Sequence, residues 1–310
     1  MTTALISHPD CLLHDTPPGH PEQVARLEHI LDALNGPEFA GLTRKNAPLA
    51  ADDDLVRAHP ESYVQMIRDA RPDFGRVSLD ADTHMSAGSL DAALRGVGAN
   101  VLAVDMVMGG DVSNAFCAIR PPGHHAEKQT PMGFCLFGNI AIAAKYALDH
   151  HGLKRVTIVD FDVHHGNGTQ DLVEEDPRIL FVSTHQMPLY PGTGAAHETG
   201  AHNNVLNIPL PAGAGSTMFR DVVNSQVLPT VAGFRPEMVF VSAGFDAHAA
   251  DPLADLKFST EDFAWVTDKL CDLADEQCQG RLVSSLEGGY DLDALAASVA
   301  AHVKVLMERG

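Results

Sequence analysis

The strongest constraint on the fold is a repeated order along the chain. A short apolar run comes first, then a segment dense in His, Asp, Tyr and Gly, then a helical pattern. The apolar runs cover residues 114–119, 156–159, 179–182, 238–241 and 282–286. Runs of this length, separated by helices, predict parallel strands buried on both faces. Helical patterns cover residues 21–34, 89–108, 138–150, 259–274 and 292–307. The first places Pro21 at its opening position and repeats Val24, Leu27, Leu31 and Leu34 on one face. The fourth has Ser259 or Thr260 as cap and Glu261 in its first turn. No repeat, low-complexity tract or Ser/Gly linker divides the chain. The expectation is an α/β fold with a central, mostly parallel sheet flanked by helices, as one domain over residues 1–310.

The segments just beyond the apolar runs carry the chemistry. After Ile119 come Arg120, two prolines, Gly123, His124 and His125; after Val159 come Asp160, Phe161, Asp162, Val163 and His164. Ser183, Thr184 and His185 come after Val182, Ser242 to Asp246 after Val241, and Glu287 to Tyr290 after Leu286. Ligands of parallel sheets bind beyond the carboxyl ends of the strands. Five such segments are expected to meet at one edge.

In extended chain alternate residues point the same way, so Asp162 and His164 are expected to grip one ion together. Oxygen and nitrogen donors suit zinc, with Asp246 as the third ligand from another strand end. Three protein ligands leave a position open, as a catalytic ion requires. Adjacent imidazoles at His124 and His125, in a loop stiffened by proline, suit proton transfer near neutral pH. Tyr290 comes after a flexible diglycine that can present its hydroxyl to a polarised carbonyl. Phe134 and Tyr190 are candidate walls of a narrow apolar channel, and the pair His150 and His151 reads as an ordinary surface feature.

Composition narrows the classes. At 45% hydrophobic and 20% charged, the chain is globular rather than disordered. The net charge of −20 argues against a nucleic-acid partner and is compatible with cationic substrates. No apolar run reaches the ~18 residues of a membrane helix, and the first residues carry no basic region leading into an apolar stretch, so no membrane partner and a cytoplasmic location are expected. The five cysteines are scattered and odd in number, which favours buried thiols over disulfides or a cysteine metal site. Oligomeric state is not readable from these features.

Taken together, Arg120 to Ala126, Gly133-Phe134-Cys135, Asp160 to Gln170, Ser242 to Asp246 and Glu287 to Tyr290 resemble the histone deacetylase family, most closely its class II branch and bacterial relatives. The resemblance runs from His20-Pro21-Glu22 to Tyr290 with the motifs in family order. It implies the arginase–deacetylase fold and one catalytic zinc held by Asp162, His164 and Asp246, with iron(II) as an alternative ion in the cell. It makes His125 the general base and acid, His124 its electrostatic neighbour and Asp160 the carboxylate that orients His124. Asn167 stands where class I enzymes have aspartate and class II enzymes asparagine, as partner of His125. Tyr290 matches the tyrosine that binds the substrate carbonyl, and Phe134 and Tyr190 the walls around the lysine stem. The family also binds structural potassium, and Asp160, Asp162, His164, Ser183 and Thr184 match that site.

The implied reaction is metal-assisted hydrolysis of the acetyl amide of N-ε-acetyllysine in a peptide or protein. The first alternative is an acetylpolyamine amidohydrolase acting on a small acetylated amine. A polyamine-specific relative has glutamate in Asp-Pro-Glu after the third ligand. Here Asp251-Pro252-Leu253 puts Leu253 at that mouth, which favours acetyllysine. A non-catalytic, acid-sensing module on the same fold is a further alternative, but every ligand and Tyr290 are present. A binuclear manganese ureohydrolase would need more aspartates than this ligand segment holds.

Overall fold

The computed structural model describes residues 2–310. The strands are β1 (Thr3–Ser7), β2 (Thr43–Asn46), β3 (Arg76–Ser78), β4 (His84–Ser86), β5 (Asn114–Cys117), β6 (Val156–Asp160), β7 (Ile179–Gln186), β8 (Val205–Leu210), β9 (Val239–Ala243) and β10 (Leu282–Leu286). The α-helices are α1 (Ala25–Ala33), α2 (Asp52–Leu55), α3 (Glu61–Asp69), α4 (Ser89–Met108), α5 (Asn139–Asp149), α6 (Asn167–Val173), α7 (Ser216–Val222), α8 (Leu228–Phe234), α9 (Thr260–Cys278) and α10 (Leu292–Arg309). All strands but β3 and β4 form one eight-stranded sheet in the order β2-β1-β5-β10-β9-β6-β7-β8. Every pairing in it is parallel. β3 and β4 make a separate antiparallel hairpin.

Every residue of β5, β6, β9 and β10 is buried, so both faces of the sheet's centre are covered, as a parallel sheet requires. α4 and α5 pack on each other and reach strands on either side of the centre; α9 and α10 pack together, with α1 beside α10. Local chemistry sets the helix ends. The Asp262 carboxylate accepts the Ser259 N–H at 2.9 Å, the returning arm of a capping box, and Asp291 Oδ1 accepts the Ala294 N–H at 2.9 Å to start α10. The five cysteines are all buried as free thiols. Among the described residues no helix is long and apolar enough to cross a membrane.

Two sequence expectations fail for physical reasons. The first helix starts at Ala25, not Pro21. The Glu22 carbonyl is held by the Thr16 hydroxyl at 2.7 Å and by the Arg120 guanidinium at 3.3 Å, and the Arg26 N–H bonds to the Gln23 carbonyl instead. Glu22 is thereby drawn out of the helix. Ser183, Thr184 and His185 do not lie beyond their strand but within it, because β7 continues to Gln186 and pairs with β8 as far as Leu210.

The order of the sheet builds the site. β5, β10, β9 and β6 are consecutive neighbours, with Cys117 beside Ser285, Ser285 beside Ser242 and Ser242 beside Asp160. Segments that lie far apart in the chain therefore leave the sheet side by side.

Candidate active site

Four loops at this edge bring the expected residues together. His124 and His125 arrive after β5, Asp162 and His164 after β6, Asp246 after β9 and Tyr290 after β10. The Nδ1 atom of His164 lies 3.2 Å from Asp162 Oδ1 and 3.2 Å from Asp246 Oδ2. The ligand-type atoms of these three residues all lie within 4.8 Å of one another. The reason differs from the one expected. Asp162 and His164 are not on extended strand but in bends beyond β6. Asp160 Oδ1 accepts the Asp162 N–H at 3.0 Å, and Asp162 Oδ1 accepts the His164 N–H at 2.9 Å. These successive Asx turns, not strand alternation, aim the two side chains.

The diglycine is likewise tight rather than flexible. The Gly288 N–H donates to Asp162 Oδ2 at 2.8 Å, and a Cβ at Gly288 would run into the carboxylates of both Asp246 and Asp162. A glycine is needed here because backbone and carboxylates touch.

The two loop histidines have different partners. His124 Nδ1 is 3.0 Å from Asp160 Oδ2 and its Nε2 is 3.8 Å from Asp162 Oδ2. Burial opposes its charge, but the Asp162 and Asp160 carboxylates prevail and hold its pKa well above the usual imidazole range. His125 Nδ1 lies 2.7 Å from Asn167 Oδ1. Burial, reinforced by the positive charges of His124 and His164, holds its pKa well below the usual range. Burial pushes the Tyr290 phenol well up, so it is a hydrogen-bond donor.

Above these groups is a cavity of about 260 Å³ lined by His125, Phe134, His164, Leu189, Tyr190, Leu253 and Tyr290, with Asp82 in its wall. Phe134 meets Tyr290 edge-on at 5.9 Å, and Tyr190 meets His125 edge-on at 5.2 Å. A larger hollow of about 490 Å³ beside Gly213–Val222 gathers no histidine or tyrosine. Chemistry, not volume, picks out the site.

A family model for the histone deacetylase domain matches residues 20–306. The chain belongs to the histone deacetylase family. It is 42% identical over 301 residues to a protein named histone deacetylase 10, chloroplastic, of Oryza sativa, spanning 91% of this chain and 68% of that one. It is 39% identical to the histone deacetylase-like amidohydrolase of Pseudomonas aeruginosa, spanning 87% of this chain and 71% of that one. The crystal structure of the HDA15 HD domain superposes with a TM-score of 0.94 at 34% identity, covering 99% of this chain and 88% of the other. The chain is a deacetylase-type hydrolase with the fold expected from its sequence.

This family is generally dependent on zinc, and the donor set here fits such an ion. Asp162 and Asp246 are buried, and among the described residues only histidines lie within ion-pair distance of them. Two buried carboxylates converging on one imidazole nitrogen, with no Arg or Lys to balance them, form a cradle for a divalent cation. Ser183 and Thr184, grouped with potassium by resemblance, lie beside the same edge. Ser183 pairs with Asp160 across β6 and β7, and the buried Thr184 hydroxyl has no hydrogen-bond partner.

Several residues escaped the sequence reading. Asp251 accepts the Tyr290 N–H at 2.8 Å and the Leu253 N–H at 3.0 Å, tying the Tyr290 backbone to the rim. Burial, with the nearby Asp246 charge, pushes its pKa up to about 7. Glu287 accepts the Gly123 and His124 N–H groups at 2.7 and 3.1 Å. Arg26 donates to the carbonyls of Gly289 at 2.6 Å and Glu287 at 2.5 Å, and its guanidinium lies 4.9 Å over the Tyr290 ring. Asp82, on the loop between β3 and β4, supplies a carboxylate to the cavity wall. Only Asp251 and Glu287 had a local signal, Asp251 in the Asp-Pro-Leu segment at the cavity mouth and Glu287 in the motif segment beyond the run at 282–286.

Proposed function

We propose that the chain hydrolyses the acetyl amide of N-ε-acetyllysine in a peptide or protein, with one zinc ion held by Asp162, His164 and Asp246; iron(II) suits the same donors. The observation that carries this reading is the cavity itself. Its apolar walls at Phe134, Tyr190, Leu189 and Leu253 suit a lysine stem, and it leads to His125, Tyr290 and the three-residue cradle. When bound there, zinc would supply Lewis acidity toward the acetyl carbonyl and lower the pKa of a water molecule.

The chain's own residues do the rest. The Asn167 amide donates to Glu127 Oε1 at 2.8 Å, which turns its carbonyl toward His125. His125 therefore carries its proton on Nδ1 and keeps the Nε2 lone pair free to accept a proton from water. The same Nε2–H later protonates the departing amine. The Tyr290 hydroxyl donates to the carbonyl oxygen as negative charge develops there. His124, charged between Asp160 and Asp162, adds a fixed positive field beside it. We assign potassium to the site of Asp160, Asp162, His164, Ser183 and Thr184, where it would brace the loop after β6.

A second reading, hydrolysis of acetylpolyamines, is favoured by Asp82, whose carboxylate could hold a distal ammonium where Leu253 cannot. The test is a comparison of kcat/KM on an acetyllysine peptide and on N-acetylspermidine, for the wild type and Asp82→Asn. The proposal expects the peptide to be preferred in both proteins. A preference for acetylspermidine that Asp82→Asn abolishes would establish the second reading instead.

A further inference from the structure

The surface pair His150 and His151 gains a third member in the fold. Asp105, in the last turn of α4, lies against the end of α5, and His151 Nε2 is 2.8 Å from Asp105 Oδ1. One ligand-type atom from each of Asp105, His150 and His151 lies within 4.8 Å of the other two. The imidazole centroids of the two histidines are 5.0 Å apart. Two further contacts preset the group. The Tyr146 hydroxyl donates to Asp105 Oδ1 at 2.9 Å, and the Tyr146 ring stacks on His150 at 4.7 Å with an interplanar angle of 11°.

The electrostatics of the place ask for a cation. α4 ends at Met108 and α5 at Asp149, so the negative ends of two helices meet beside Asp105. Neither helix has a basic residue in its last turn. Arg57, whose guanidinium lies 5.3 Å over the Tyr146 ring, is shared between Asp149 at 3.3 Å and Asp54 at 3.8 Å, and Arg178 pairs with Asp149 at 3.2 Å; neither arginine makes an ion pair with Asp105. The side chains of Asp105 and His151 are 43% and 21% exposed, open enough for an ion to enter from solvent.

We propose that Asp105, His150 and His151 form a second, non-catalytic site for a borderline transition-metal dication such as Zn²⁺, which pins the end of α4 to the end of α5. Two imidazoles and one carboxylate match zinc rather than magnesium or calcium, which take oxygen donors. A tetrahedral zinc with bonds of about 2.0–2.2 Å sets its donors about 3.4 Å apart, so Asp105 and His151, now hydrogen-bonded at 2.8 Å, would part slightly around the ion while the His150 donor, within 4.8 Å of both, closes on it. The site shares no residue with the catalytic cradle.

Equilibrium dialysis of metal-free, full-length protein against micromolar Zn²⁺, with bound metal counted, tests this. The His150→Ala/His151→Ala variant should bind one equivalent less than the wild type, whether or not the buried triad takes zinc. Asp105→Asn, which keeps an acceptor for Tyr146, should weaken that equivalent by about tenfold or more. Circular dichroism and melting in metal-free buffer establish that the variants are folded. In a protein whose buried triad is disabled by Asp162→Asn/His164→Ala, Zn²⁺ should still raise the melting temperature, and Mg²⁺ and Ca²⁺ should not. An equal zinc count in wild type and double variant, or an equal response to Mg²⁺, would overturn the proposal.

Discussion

The Nδ1 atom of His125 donates to the side-chain carbonyl of Asn167 across 2.7 Å. A neutral amide orients the imidazole without adding negative charge beside it. His125 is therefore left to burial and to its cationic neighbours, and both hold its pKa down. The neutral, proton-accepting form persists well below pH 6.5, and kcat/KM should fall only as pH drops through that lowered value. The acid limb of the profile is predicted below pH 6.5. In Asn167→Asp a carboxylate would stabilise the imidazolium and move the limb up by about one to three pH units. Profiles measured with metal content checked at each pH decide this; coincident limbs would show that Asn167 does not set the base.

Tyr190 and Tyr290 both line the cavity, but Tyr290 is the one that follows Gly288, whose N–H meets Asp162 of the cradle, and burial keeps its phenol protonated. Tyr290→Phe should lower kcat by about 10²–10³-fold, the loss typical of one oxyanion donor. KM for an acetyllysine peptide should change far less. Wild-type turnover in this variant would remove Tyr290 from the reaction.

Gly288 is predicted to be intolerant of a single methyl group. In Gly288→Ala the added Cβ would meet the carboxylates of Asp246 and Asp162. Zinc affinity should fall by about 10–100-fold, the scale seen when the groups around metal ligands are disturbed. Competition with a chromogenic chelator measures it, and an unchanged affinity would mean that the backbone yields more readily than the packing indicates.

Stability should hinge on Glu22. Its carboxylate receives Arg120 Nε and Nη2 at 2.5 and 2.6 Å and Arg26 Nη1 at 2.9 Å, all in the buried interior. Burial alone would raise its pKa, but Arg120 and then His14 outweigh it and hold the group well below the usual carboxylate range. A depressed carboxylate adds stability that is present above its unfolded pKa of about 4.3 and is lost as pH falls through the folded value. Glu22→Gln leaves two buried guanidinium groups without their counter-charge and should cost about 3–5 kcal/mol at neutral pH. Denaturant melts at pH 7 and below pH 4 should show the gap between variant and wild type narrowing in acid.

These outcomes show how much of the molecule could be read from the chain. The runs at 282–286 and 89–108 match β10 and α4 residue for residue, because buried apolar strands and a long alanine-rich helix need no distant partner to declare themselves. β2, with the sequence TRKN and largely exposed, carries no apolar signal, and β8 contains Pro209. Their pairing with β1 and β7 makes them strands. The candidate site was legible for the same reason in reverse: polar residues crowded after apolar runs have few other uses. Arg26 and Asp82 were not, and Glu22 was marked only as the start of the family resemblance, since nothing local shows that the fold will bury a charged residue or turn it toward a cavity. His150 and His151 looked ordinary because Asp105, 45 and 46 residues away in the chain, meets them only through helix packing.

The most direct test of the catalytic assignment is acetate release from an acetyllysine peptide by chelator-stripped enzyme, titrated with Zn²⁺ beside an Asp246→Ala variant. The assignment predicts no turnover in the stripped protein, recovery of the wild type as zinc fills the buried cradle, and no recovery of Asp246→Ala at the same zinc. Wild-type turnover by the stripped protein, or by Asp246→Ala, would contradict it.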